Sequence, residues 1–185
     1  MELFELIQTL VSAHGPSGNE GGIREAIRTL AAPYGGEASI DTMGNLTIHK
    51  PGPGPKVMLC AHMDSVGFIV THIEKEGFLR VGKLGGVAPQ VVKEEKASFS
   101  KLKLDECYVD VGARDKAQAR EMVQIGDTAV YDTPTFSSGG KVISPYLDNR
   151  VSCAILLQVL EKLPEDCPND LYFVFSTQEE VGLRG

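Results

Sequence analysis

Three short stretches place groups capable of acid–base or metal chemistry beside apolar runs: "AHMD" at 61–64, "LDNR" at 147–150 and "TQEE" at 177–180. In "AHMD", His62 and Asp64 are two apart, so on an extended strand they share a face. A carboxylate next to a metal-ligating imidazole can accept its second N–H, which fixes the tautomer and raises the basicity of the ring. Taken singly, H-x-D is a weak signal, because a neutral histidine often satisfies itself within a core or turn. Asp148 opens a strongly apolar helical segment, where an acid ordinarily stabilises the first turn by about 0.5–2 kcal/mol. The same carboxylate could bridge two cations, one through each oxygen. Glu179 and Glu180 come just after the apolar run "LYFVF". Neighbouring side chains diverge at a strand end, so one can ligate a metal while the other faces the attacking water. Hydrolysis needs that division: the metal lowers the water's pKa toward about 7 and a non-ligating carboxylate takes its proton. The plain alternative is a solvated acidic pair opening a loop.

These groups need elements to hold them. The run "KVMLCA" (56–61) predicts a buried strand ending at His62, and "DLYFVFSTQEE" a second one. Between them, 147–164 predicts an apolar helix beginning near Asp148 and stopped by Pro164. Ligand sites of open α/β sheets lie beyond the carboxyl ends of the strands. Two of the three stretches fall there and the third opens a helix. Nearly continuous apolar strands predict a sheet covered on both faces. Upstream, residues 2–13 and a segment through about Tyr34 read as amphipathic helices, with Ser17 or Asn19 positioned to cap the second. The stretch 37–50 reads as a hairpin turning at "MGN". From about 65 to 138 the texture changes to short β-like runs separated by Gly and charged turns, with one short helix near 115–122. The expected fold is therefore α/β: a central mixed sheet covered by helices (1–64 and 138–185), interrupted by a small β insert (65–137).

The length fits one ordinary domain with an insertion, and 42% hydrophobic with 23% charged residues predicts a packed core. The net charge of −7 argues against nucleic acid or an anionic membrane as partner. No run approaches the roughly 20 apolar residues of a membrane span, and the first seven residues hold two glutamates and no basic residue, unlike a secretory signal. Cys60, Cys107, Cys153 and Cys167 lack C-x-x-C spacing and read as buried free thiols in a reducing cytoplasm.

Longer matches sharpen the reading. "AHMDSVGF", "YLDNRVSCAILLQVLE" and "FSTQEEVGLRG" closely resemble metallopeptidase family forty-two, the TET-type glutamyl, leucyl and deblocking aminopeptidases, some of them once labelled endoglucanases. The resemblance runs through "GPSGNE", "DTMGNL", "GKLGG" and "CYVDVGA"; Ser65 departs from it, where many relatives carry Glu. It implies a phosphorylase/hydrolase-like catalytic domain interrupted by a β-barrel-like dimerisation domain, self-association from dimers to dodecamers, and peptide substrates. It also implies two divalent metal ions (zinc, cobalt or manganese). By motif, His62 would ligate one metal with Asp64 orienting it, and Asp148 would bridge both. Glu179 would be the general base and Glu180 a ligand of the second metal.

The family's further aspartate and its final histidine ligand have no counterpart here, and His14, His49 and His72 lie in no matching motif. Each metal then keeps two protein ligands, against the three usual at catalytic zinc. The sequence is thus expected to be the N-terminal half of the enzyme, with weak metal binding, little activity alone and a tendency to associate. Two other readings stay open: a non-catalytic assembly module of the same family, and a carboxylate-pair glycosidase. The second is poorly served by adjacent glutamates, since its two acids must flank a bond at about 5–10 Å.

Overall fold

Alternation along two strands builds the main core. Leu171, Phe173 and Phe175 point to one face of β9 (Asp170–Ser176), while Tyr172 and Val174 point to the other. The computed structural model describes residues 1–87 and 107–185. They form two compact units, Met1–Ser65 with Asp132–Gly185, and Val66–Tyr131.

In the first unit, β1 (Glu37–Ile40), β2 (Leu46–Lys50), β3 (Lys56–His62) and β9 make a four-stranded sheet in the order β1-β2-β9-β3. β2 is antiparallel to both β1 and β9, whereas β3 and β9 run parallel, so the sheet is mixed. The helices are α1 (Leu3–Ser12), α2 (Gly21–Ala31) and α4 (Leu147–Glu161), and a short 3-10 turn, Ala32–Tyr34, follows α2. Leu6, Leu10, Ile23, Ile27, Leu157 and Leu160 from the helices join Leu46, Ile48, Phe173 and Phe175 from the sheet in one apolar cluster. Phe173 and Phe175 are fully buried, each contributing about 1.5–3 kcal/mol by removal from water. A hairpin of β7 (Phe136–Ser138) and β8 (Lys141–Ile143) completes the strands of this unit.

Coverage of the sheet on both faces is not what the described residues show. The helices pack on one face; on the other, Met58 is 68% exposed, Cys60 is exposed, and His49 stacks on Tyr172 at 4.3 Å between ring centroids. Met58, Cys60, Tyr172 and Val174 on that side are apolar or aromatic, so β3 and β9 read as doubly buried, while the described residues cover one face. The four cysteines form no disulfide, but Cys153 alone of them is fully buried, and Cys60 falls on that open face. α2 also starts later than expected. Its N-cap position is Glu20, with no side-chain cap bond, and neither Ser17 nor Asn19 caps it.

In the second unit, β4 (Gly67–Ile73) lies between β5 (Leu79–Leu84) and the two-residue β6 (Thr128–Ala129), with a register shift between Val70 and His72. Val70, Ile73, Leu79 and Val81 pack with Ala119 of α3 (Lys116–Met122), whose first turn is capped by Asp115 accepting from the Gln118 N–H at 2.9 Å. Among the described residues this is an open three-stranded sheet and not a closed barrel. "CYVDVGA" contributes an isolated bridge, Val109 with Leu79, and "KASFSKL" lies outside the described residues.

Candidate metal centre

Because β3 and β9 are parallel, their carboxyl ends lie side by side, with His62 opposite Ser176. The pairing continues one step as the Met63 N–H donates to Ser176 O at 2.8 Å. This delivers "AHMD" and "TQEE" to the same sheet end, where α/β sheets carry their sites. "LDNR" arrives from the start of α4. There Asp148 and Asn149 depart from helical φ/ψ, and the peptide between them is cis. Asp148 is thus not an ordinary first-turn acid: its side chain is 86% exposed and reaches His62.

The distances converge on one imidazole. His62 Nε2 lies 3.2 Å from Asp148 Oδ1 and 3.7 Å from Glu179 Oε2. One ligand atom each from His62, Glu179 and Glu180 falls within 4.8 Å of the others. His62 Nδ1 faces Asp64, 3.2 Å from its carbonyl oxygen and 3.3 Å from Oδ1. Nε2 is thereby left toward the carboxylates. Asp64 is fully buried and organises the layer beneath. It accepts from Ser17 Oγ at 2.6 Å, the Glu179 N–H at 3.1 Å and the Glu180 N–H at 3.2 Å.

The electrostatics follow from this packing. Burial disfavours a charged imidazole, but the hydrogen bond and charge of Asp64, with the charge of Glu179, outweigh it and raise His62 to about 9. Burial likewise opposes ionisation of Asp64, yet His62, Ser17 and the two backbone N–H groups hold its carboxyl below the usual range. Glu180 is held above its ordinary value, by burial first and then by Asp148, Asp64 and Glu179 against the pull of His62. Among the described residues, the ion pairs of Asp148 and Glu179 run to His62 and not to a lysine or arginine. Three carboxylates gathered around one imidazole, with a buried carboxylate on its far nitrogen, form a donor set suited to a borderline or hard divalent cation.

All five residues singled out in the sequence therefore meet at one place. Their supports were not read in advance. The Thr177 N–H donates to Asn45 Oδ1 at 2.8 Å, and Thr177 Oγ1 reaches Met43 O at 3.2 Å, so the "DTMGNL" turn holds the end of β9. That turn is closed by Asp41, which accepts from the Met43 and Asn45 N–H groups, each at 2.9 Å, and Gly44 supplies its positive φ of 94°. Gln178 follows at φ 54°, a left-handed conformation costing a non-glycine residue about 1–2 kcal/mol. Arg150, two residues past Asp148, turns away from the site. It is buried and donates to Leu10 O, to Ala13 O at 3.1 Å and to Gly15 O at 3.2 Å, tying the end of α1 to the start of α4. Burial lowers this guanidinium to about 10. Gly15 is required where it packs, since a Cβ there would lie 2.3 Å from Ile23 Cγ2. The motifs "GPSGNE" and "DTMGNL" marked these supports, but their acids, Glu20 and Asp41, look like ordinary loop residues in the sequence.

Comparison with known proteins finds relatives over nearly the whole chain. The family model described as M42 glutamyl aminopeptidase matches residues 44–103 and 93–185. The lysyl aminopeptidase of Pyrococcus furiosus is 34% identical over 98% of this chain and 61% of its own. An aminopeptidase structure from Desulfurococcus kamchatkensis superposes with a TM-score of 0.89 at 32% identity, over 99% of this chain and 58% of that one. The TET1 peptidase of Pyrococcus horikoshii, described as assembling into a tetrahedron or a large octahedral shell, gives 0.87 at 27% identity, over 98% and 62%. The chain belongs to the M42 aminopeptidase family. It spans less than two thirds of the length of each of these three relatives.

Proposed function

We propose that these residues form part of a dinuclear, metal-dependent aminopeptidase centre that releases N-terminal residues from peptides. The observation that carries the reading is the convergence of His62, Glu179 and Glu180 within 4.8 Å, with Asp148 at 3.2 Å from His62 Nε2. His62 and Asp148 are the donors for one cation, and Asp148 and Glu180 for the second. Zinc, cobalt or manganese suits this mixture of imidazole and carboxylate. A divalent cation held there would supply the positive charge that makes a water nucleophilic near neutral pH. Asp64 keeps the His62 ring oriented, with Nε2 facing the carboxylates. Glu179 takes the proton of the attacking water and returns it to the leaving amine.

Two protein ligands per cation are one fewer than a catalytic zinc usually has. The remaining ligands are therefore assigned to residues outside these 185, in keeping with the share of the relatives that the chain spans. The insert at 65–137 is assigned to self-association, by analogy with the assembling TET1 peptidase, and four cysteines without a disulfide support a cytoplasmic site of action.

Glu179→Gln in the whole gene product tests the assignment of the base. Peptide hydrolysis should fall at least a hundredfold with metal content unchanged. Normal turnover would remove Glu179 from the chemistry, and loss of metal together with activity would make it a ligand. Dialysis of the 185-residue chain followed by elemental analysis tests the ligand count, because two tightly held metals per chain would contradict it.

A further inference from the structure

Every backbone N–H from Thr177 through Glu180 donates to a side-chain oxygen brought from elsewhere in the chain. Asn45 takes that of Thr177, and Asp64 takes those of Glu179 and Glu180. The fourth acceptor is Glu20, whose Oε1 lies 3.2 Å from the Gln178 nitrogen and 2.7 Å from that of Gly18. Glu20 is 5% exposed. It stands at the N-cap position of α2, yet its side chain makes no cap bond there, so its carboxylate is not engaged in starting that helix. It reaches the residue that precedes the acidic pair, and that residue holds a left-handed φ of 54°. A negatively charged acceptor binds N–H groups about twice as strongly as a neutral one.

We infer that Glu20 is a positioning residue: its carboxylate holds Gln178 in the turn that directs Glu179 and Glu180 toward His62. The turn carrying Glu20 serves the site twice, because Ser17 of the same loop donates to Asp64 at 2.6 Å. The inference rests on the proposed metal centre only for the consequence of the positioning. The positioning itself belongs to the chain without metal.

The test is amide hydrogen exchange on the metal-free 185-residue chain, read by NMR. Glu20→Ala should lower protection of the Gln178, Glu179 and Glu180 amides about tenfold while the amides of Phe173 and Leu157 keep theirs. Glu20→Gln retains an acceptor oxygen and should give a smaller loss at the same three amides, which keeps the inference testable if the alanine variant is too unstable to study. Unchanged exchange at 178–180 in both variants would overturn it. So would an equal loss at Phe173 and Leu157, because that is the signature of general destabilisation. A second arm follows the visible absorption of added Co2+. Glu20→Ala should weaken apparent binding about tenfold and Glu20→Gln should restore most of it. An alanine variant that binds Co2+ as the parent does would refute the consequence for the site. Failure of the parent chain to bind Co2+ would count against the metal centre, and the exchange arm would still decide the role of Glu20.

Discussion

Replacing Asp64 by Asn tests the organisation of the site without needing a substrate. Asp64 is fully buried and accepts from Ser17 Oγ at 2.6 Å and from the Glu179 and Glu180 N–H groups at 3.1 and 3.2 Å, with His62 Nδ1 at 3.3 Å from Oδ1. Asparagine keeps the shape and one acceptor oxygen but turns an N–H2 group toward two of these donors. A buried donor left without its acceptor costs about 1–3 kcal/mol, so two cost about 2–6 kcal/mol. Relief of a buried charge offsets part of this and leaves a loss of about 3 kcal/mol. With a urea dependence of about 2 kcal/mol per molar, the midpoint should fall by about 1.5 M. Far-UV circular dichroism in EDTA would follow the unfolding of α1, α2 and α4 with no contribution from metal binding. Ser17→Ala should cost less in the Asp64→Asn background than in the parent, since the two side chains share one bond. A midpoint unchanged within about 0.3 M would refute the reasoning, because it would mean that Asp64 does not carry the hydrogen bonds that hold the Glu179–Glu180 turn.

Other expectations follow from groups away from the cluster of carboxylates. The hydrogen bond from His49, 2.6 Å away, holds the Asp170 carboxyl below its ordinary 3.8, more than burial raises it. A depressed folded value means the stabilisation is complete above the ordinary value and is lost as pH falls through the lower one. The urea midpoints of the parent and Asp170→Asn should therefore differ at pH 6 and draw together as pH falls below the ordinary carboxylate value of 3.8; a constant gap would contradict this. Burial pushes the Cys153 thiol up to about 12, against the pull of Arg150. The unfolded chain then ionises first, so this group's contribution to stability falls as pH rises from about 9 toward 12. At pH 8 iodoacetamide should label exposed Cys60 in the native chain and reach Cys153 only on unfolding. Equal native labelling rates would show that Cys153 is not enclosed as described.

Much of this arrangement was legible because period and punctuation pointed the same way. The apolar run 56–61 became β3, the pattern around "MGN" became the β1–β2 hairpin, and 147–164 became α4, ending at Glu161 ahead of Pro164. Short segments were less legible. The β-like runs of the insert that lie among the described residues became strands of two to seven residues or single bridges, since pairing depends on neighbours that local sequence does not specify. The open face of the sheet was hidden because Met58, Cys60 and Tyr172 read as core residues. At the site, His62, Asp148, Glu179 and Glu180 were visible as chemistry-bearing types at element ends. Ser17, Glu20 and Asn45 were not, because a side chain whose role is to accept or donate one backbone-directed hydrogen bond looks like any loop residue until the fold brings its partner near.

The proposed function requires that a divalent cation bind among the carboxylates around His62. Anomalous diffraction at the zinc absorption edge, from a crystal of the chain soaked in Zn2+, tests it most directly. A peak is expected within about 2.0–2.2 Å of His62 Nε2 and of a carboxylate oxygen from Asp148 or Glu180. Absence of a peak there at saturating zinc, or a peak on other residues with His62 unliganded, would contradict it.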